Sequence, residues 1–133
     1  MTTRNSNLSV QGASLSNIKE LPALEDGRKY FTESGYSQSY PWIELRRTAK
    51  TVTLAKVNVK RDPEWKPNIL PGGFCGHCDN QGSQTWIYDG VDENCTKTIR
   101  LVKSRYIGEE NMWAHKGTRF SEDQAHEFYD YNF

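Results

Sequence analysis

Tyr40-Pro-Trp-Ile-Glu-Leu-Arg46, followed by Thr51-Val-Thr-Leu54 and Ala55-Lys-Val-Asn-Val59, decides the fold of this chain. In the first stretch Ile43 and Leu45 share one face and Trp42, Glu44 and Arg46 the other, the period of two that a strand requires. Val52 and Leu54 carry the apolar parity in the second stretch, but Val57 and Val59 carry it in the third. A one-residue slip of phase inside a strand is the trace of a β-bulge, here near Ala55-Lys56. With Arg47-Thr-Ala-Lys50 as the turn, the stretches form a bent hairpin, which suits a small barrel better than a flat sheet.

Downstream, Asp62-Pro-Glu-Trp-Lys-Pro-Asn68 is excluded from a central strand, because its two prolines lack the N–H a ladder needs. A second hairpin is expected from Thr85-Trp-Ile-Tyr-Asp89 and Thr96-Lys-Thr-Ile-Arg-Leu-Val102 around Gly90-Val-Asp-Glu-Asn-Cys95. Tyr129, Tyr131 and Phe133 recur at period two, which predicts a docked C-terminal strand with structural aromatics. Ser121–His126 predicts a short helical turn, and Asn17-Ile-Lys-Glu20 resembles a capping box stopped by Leu21-Pro22. The fold class is therefore all-β or β-rich α+β. It is expected to be a small, bulged, partly open barrel, SH3-like or similar, built from two hairpins plus a C-terminal strand. Residues 1–16 read as a flexible N-terminal arm of Ser, Thr, Asn and Gln, and 17–133 as a single β-rich domain.

A chain of 133 residues is long enough for one buried core. Its formal charge is zero, so no global field draws it to nucleic acid or membrane. No signal peptide and no apolar run near ~18 residues is present, so a cytoplasmic location, reduced thiols and no membrane partner are expected.

The chemistry-bearing residues concentrate in Pro71-Gly-Gly-Phe-Cys-Gly-His-Cys-Asp-Asn-Gln81. A redox Cys-x-x-Cys needs a helix N-terminus to lower a thiol pKa. Here Cys78 runs into the turn-prone Asp79-Asn-Gln-Gly-Ser-Gln84 and then Thr85-Trp-Ile-Tyr88, so thiol catalysis is not expected. Cys75, His77, Cys78 and the distant Cys95 form a zinc set that chemistry permits. The second knuckle is missing, however, and the expectation is no metal and no cofactor. No spacing selects a nucleophile and its base, so no catalytic residue is assigned and the protein is not expected to be an enzyme.

Two binding surfaces remain. His77, Asn80, Gln81, Gln84 and Trp86 offer uncharged donors and acceptors beside aromatics such as Trp65 and Tyr88, a setting for a small polar ring ligand or a protein partner. Alternatively Arg46, Arg47, Lys50, Lys56, Lys60 and Arg61, with no acid among them, accompany Trp42 on the first hairpin. Cations for phosphates and an aromatic for a base are how small barrels hold nucleic acid. Glu122, Asp123, Glu127 and Asp130 near the C-terminus are an acidic counterweight.

Three stretches resemble a family of small tailed-phage proteins. They are Gly35-Tyr-Ser-Gln-Ser-Tyr-Pro-Trp42 running into Arg47–Leu54, Pro71–Gln81 through Trp86 and Tyr88, and Phe128-Tyr-Asp-Tyr-Asn-Phe133. The resemblance covers most of residues 30–133, with His77, Cys78, Asn80 and Gln81 central to it and Cys75 peripheral. It carries no activity and implies only a context, the cytoplasm of an infected bacterial host. In that context the expected function is binding: inhibition of an anti-phage defence by sequestering a defence protein or its nucleotide signal. A nucleic-acid-binding barrel and a zinc-stabilised or virion-associated structural protein are the alternatives, and a homo-oligomer is compatible with each.

Overall fold

The computed structural model of the protein describes residues 15–72, 76–103 and 110–132, with Glu110 described by its backbone alone. Its strands are β1 (Tyr30–Ser34), β2 (Ser39–Arg47), β3 (Thr51–Arg61), β4 (Ile69–Leu70), β5 (His77–Cys78), β6 (Trp86–Lys103), β7 (Glu110–His115) and β8 (Thr118–Asp123). A 3-10 turn spans Gln81–Ser83. Six strands form an antiparallel barrel in the order β1-β2-β3-β6-β7-β8, and β8 pairs back onto β1. The small, bulged, all-β barrel is as the sequence predicts. It is closed, however, where a partly open one was expected, because two strands the periodicity did not reveal, β7 and β8, join β6 to β1.

Closure gives the sheet two faces with separate cores. Phe31, Trp42, Val52, Leu54, Ile99 and Phe120 are buried together, with Trp113 packed against them, so every barrel strand contributes and this cluster fills the lumen. On the outer face Tyr30, Ile43, Ala55, Val57 and Tyr88 pack under Leu15 and Leu21 from the N-terminal segment. Ile18 and Tyr88 exchange backbone hydrogen bonds, and Gly90 donates to the Leu15 carbonyl. Leu15 and Ser16 thus belong to the folded domain rather than to the arm, and residues 1–14 lie outside the described residues. The Asn17–Glu20 segment forms no helix, since Asn17 sits at φ 55 and Ile18 bridges to Tyr88.

The parity change along β3 records the passage from one core to the other. Val52 and Leu54 face the lumen, whereas Ala55 and Val57 face the outer cluster. A register shift does fall at Ala55/Lys56, but the extra residues are on β6: Ala55 pairs with Thr96 and Lys56 with Asp92. The expected second hairpin is accordingly one continuous strand, Trp86–Lys103, because the long β3 pairs with both halves of it. Gly90, at φ +86, absorbs the other irregularity of this pairing. The predicted helical turn at 121–126 is instead the end of β8 and an irregular exit.

Both ends of the lumen carry a cation on aromatic rings. The Arg47 guanidinium lies 5.8 Å from the Phe31 and Trp113 centroids, and it pairs with Glu44 at 2.8 Å and Glu122 at 3.4 Å. Lys97 Nζ lies 5.2 Å from the Trp42 ring and 5.9 Å from Phe120, and it pairs with Glu33 at 3.2 Å. Glu33 also accepts the Trp42 indole N–H at 2.9 Å. Each end of the aromatic cluster is thus covered by a partly exposed cation that cation–π attraction and an ion pair hold in place. The lumen is packed core, not a ligand cavity.

Candidate functional site

The Asp62–Pro67 segment, barred from the sheet by its prolines, leaves β3 and turns back on itself. Asp62 Oδ1 accepts the Glu64 amide at 2.9 Å, and the Trp65 amide bonds to the Asp62 carbonyl at 3.1 Å. The second carboxylate oxygen accepts the Thr85 hydroxyl at 2.7 Å and lies 3.1 Å from Lys19 Nζ. The Thr85 bond is the largest of the causes that hold the Asp62 carboxyl below its usual range. Asp62 therefore pins the loop that carries Trp65 and Lys66 against the start of β6, where Trp86 is the cross-strand partner of Arg61.

The fourth side of this site comes from the chain end. Residues 127–132 do not form the predicted strand: only Phe128 bridges to Ser39, and the rest is held by side-chain amides. Gln81 Oε1 accepts the Tyr131 amide at 2.8 Å, and Gln84 binds both the amide and the carbonyl of Tyr129. Asn132 binds both backbone groups of Cys78. Asn80 ties in the other flank, donating to the Lys66 carbonyl and accepting from the Asn68 amide. Beyond the Phe128 bridge the segment joins no ladder, so side chains take over: the amides of Tyr129 and Tyr131 go to Gln84 and Gln81, that of Glu127 to the Tyr88 hydroxyl and that of Asn132 to Asp130.

The result is a cleft of about 360 Å³ whose lining includes Arg61, Trp65, Lys66, Trp86, Tyr131 and Asp62, the carboxylate of the last already engaged by Thr85 and Lys19. The aromatic walls are fixed. Trp65 donates its indole N–H to Ser83 Oγ at 3.2 Å, Trp86 donates to Gln84 Oε1 at 2.8 Å, and the Trp65 and Tyr131 centroids are 5.6 Å apart. Arg61 and Lys66 are exposed at its rim. A pocket that offers aromatic faces with cations beside them suits a planar ring bearing negative charge.

Of the residues expected to bind through the central loop, Asn80, Gln81, Gln84 and Trp86 do converge here. Gln81 and Gln84 clamp the chain end and Asn80 ties the Lys66–Asn68 flank, while only Trp86 lines the cleft. His77 is exposed on β5, paired with Leu70. The expected nucleic-acid set is dispersed. Trp42 is 2% exposed inside the lumen and cannot stack on a base, and Arg47 and Lys56 lie in lumen-facing rows. Lys60 pairs with Asp89 at 3.4 Å, Arg46 and Lys50 are exposed at the far end of the hairpin, and Arg61 joins the cleft. Lys66 and Tyr131 were not foreseen as partners; the proline-framed Glu64-Trp-Lys66 was the available signal.

Cys78 is buried, its thiol 3.3 Å from Asn80 Oδ1, and Cys95 is exposed on β6. Cys75 lies outside the described residues. Among the described residues no group of three or more His, Cys, Asp or Glu side chains is arranged to hold a metal, and no helix is long and apolar enough to cross a membrane.

Fold and site together define a closed six-stranded antiparallel barrel with an aromatic and cationic cleft walled by its own chain end. No protein-family model, no curated protein and no solved structure matches the chain.

Proposed function

We propose that this is a small phage accessory protein that acts by binding rather than catalysis, and that it counters a bacterial defence by sequestering a nucleotide signal in the aromatic cleft. One observation carries the ligand class: Trp65, Trp86 and Tyr131 converge with Arg61 and Lys66 on one cleft. Stacking of a base on an aromatic side chain contributes about 1–3 kcal/mol, and guanidinium and ammonium groups bind phosphate by charge-assisted hydrogen bonds. The volume lies within the roughly 300–1,000 Å³ range of small-molecule sites. The phage setting and the host cytoplasm rest on the sequence resemblance. A defence protein as the captured partner is a second reading, supported by the exposed Ile69, Leu70 and Tyr129 on the elements that flank the cleft.

Isothermal titration calorimetry with mononucleotides, cyclic nucleotides and cyclic dinucleotides tests the reading. At least one class is expected to bind, and Arg61→Glu and Trp65→Ala to weaken it about tenfold or more, the equivalent of one lost stacking contact. Thermal melts separate lost binding from lost fold. Absence of binding across the panel removes the nucleotide reading.

A further inference from the structure

A second surface of the barrel has the character of a binding face, and it involves none of the cleft. Directly opposed residues in an antiparallel sheet point to the same side. Val52, Ile99, Trp113 and Phe120 belong to the lumen cluster, so their sequence neighbours on β3, β6, β7 and β8 face outward. Two outward rows follow from the register. Thr51, Arg100, Ala114 and Arg119 form one, and Arg46, Thr53 and Thr98 the other.

These rows contain three arginines, three threonines, one alanine and no carboxylate. Arg46, Arg100 and Arg119 are exposed. Among the described residues none of the three pairs with a carboxylate, whereas Arg28 and Arg47 both do. Arg100 and Arg119 stand two strands apart, roughly 10 Å, with only the methyl of Ala114 between them. The second row lies two residues further along, roughly 7 Å away. Cations spread over a face in this way can meet several phosphates of one chain, whereas a single small anion would reach only one of them. Threonine hydroxyls supply the uncharged donors that commonly accompany arginine on a nucleic-acid backbone.

We infer that the outer face of β2, β3, β6, β7 and β8 is a docking surface for a nucleic-acid backbone, with Arg46, Arg100 and Arg119 on phosphates and, as neutral donors, Thr51 and one of Thr53 and Thr98, whose hydroxyls share a hydrogen bond at 3.2 Å. Recognition there is of backbone, not sequence, since the two rows hold no aromatic residue to stack a base. An anionic membrane is the less fitting polyanion, because the rows also offer no large apolar side chain to insert between lipids.

Fluorescence anisotropy with labelled single-stranded and duplex oligonucleotides, over a salt series, tests this. The wild-type chain is expected to bind with affinity that falls steeply as salt rises. The double variant Arg100→Glu/Arg119→Glu is expected to lose about tenfold or more, and to flatten the log–log salt slope by about 0.7 per lost contact on single strands. Arg61→Glu, which lies in the cleft and outside both rows, is the comparison, and the double variant is expected to lose more affinity than it does. All three positions are exposed, so thermal melts should not move. The inference is overturned if the double variant binds as tightly as wild type, if wild type binds no oligonucleotide at low salt, or if it binds only anionic phospholipid vesicles. A loss confined to Arg61→Glu would assign the nucleic acid to the cleft instead.

Discussion

Gln84 holds the backbone of Tyr129 from both sides: its Oε1 accepts the Tyr129 amide at 2.8 Å and its Nε2 donates to the Tyr129 carbonyl at 2.9 Å. The same amide receives the Trp86 indole N–H and donates to the Gln81 carbonyl. A single side chain thereby does what a strand residue does in a ladder, and couples the chain end to an aromatic wall of the cleft. Asn132 does the converse on Cys78. The amide-rich loop that reads as a ligand surface is therefore chiefly the scaffold that places Tyr131.

Gln84→Ala removes four hydrogen bonds at a half-buried position. A net contribution of about 0.5–1.5 kcal/mol per bond predicts a loss of about 2–6 kcal/mol. Urea unfolding gives the magnitude, and limited proteolysis of the chain end should accelerate more than global unfolding accounts for. Wild-type stability in this variant would show that water replaces the clamp without loss.

Deletion of residues 129–133 should leave the barrel intact. Tyr129–Asn132 belong to neither core cluster, although the sequence pattern makes them part of a structural strand; Phe133, the last of the patterned aromatics, lies outside the described residues. Far-UV circular dichroism is expected to keep its β signature, with stability reduced by a few kcal/mol for the lost hydrogen bonds and ring contacts. Ligand binding at the cleft should disappear with Tyr131. An unfolded truncation product would mean that the chain end is part of the folding core.

Trp42→Ala tests the lumen assignment. Trp42 is 2% exposed, packs edge-on against Phe120 at 6.1 Å and donates to Glu33. Truncation of such a side chain costs about 3–5 kcal/mol. Chemical denaturation measures it, and a cost below about 1 kcal/mol would place Trp42 on the surface after all.

Glu127 gives a pH dependence of defined sign. Burial, only partly opposed by Lys56, pushes its carboxyl above the ordinary carboxylate range, and Oε1 is buried with no hydrogen-bond partner among the described residues. A carboxyl whose folded pKa exceeds its unfolded one stabilises the fold fully below the unfolded value. That contribution is lost as pH rises through the folded value. Asp62 and Asp130 are shifted downward, Asp62 first by the Thr85 hydroxyl and Asp130 first by the Asn132 amide, so their contributions are lost on acidification. The stability difference between Glu127→Gln and wild type isolates Glu127. It is expected to move in favour of the variant as pH rises from the acid side to neutrality. A difference that is flat, or that moves the other way, would mean that pairing with Lys56 outweighs burial.

Much of the fold was legible in local pattern. The alternation through Tyr40–Arg46 and Thr51–Val59 does mark β2 and β3, and the turn chemistry between them holds. The hairpin of β7 and β8 also had a signal that periodicity alone did not expose: Lys116-Gly117, both at positive φ between His115 and Thr118, is the two-residue turn that matches strand twist. At the site, the prolines of Asp62–Pro67 marked a non-strand segment, and Trp65 and Trp86 were visible as aromatics near a polar loop.

Sequence by itself determined that β2 and β3 are strands and which of their residues share a face, because both follow from a period of two along one stretch of chain. It could not determine where each face leads. Trp42 alternates like a surface residue, yet β8 brings Phe120 across from it and closes a lumen around its ring. Gln81 and Gln84 look like free side-chain amides until the chain end arrives to donate to them, and Asn80 until the Lys66–Asn68 flank folds over it. Burial and hydrogen-bond satisfaction are properties of pairs, and here the partners are distant in sequence, so only the tertiary structure could decide between surface and core, and between ligand contact and clamp.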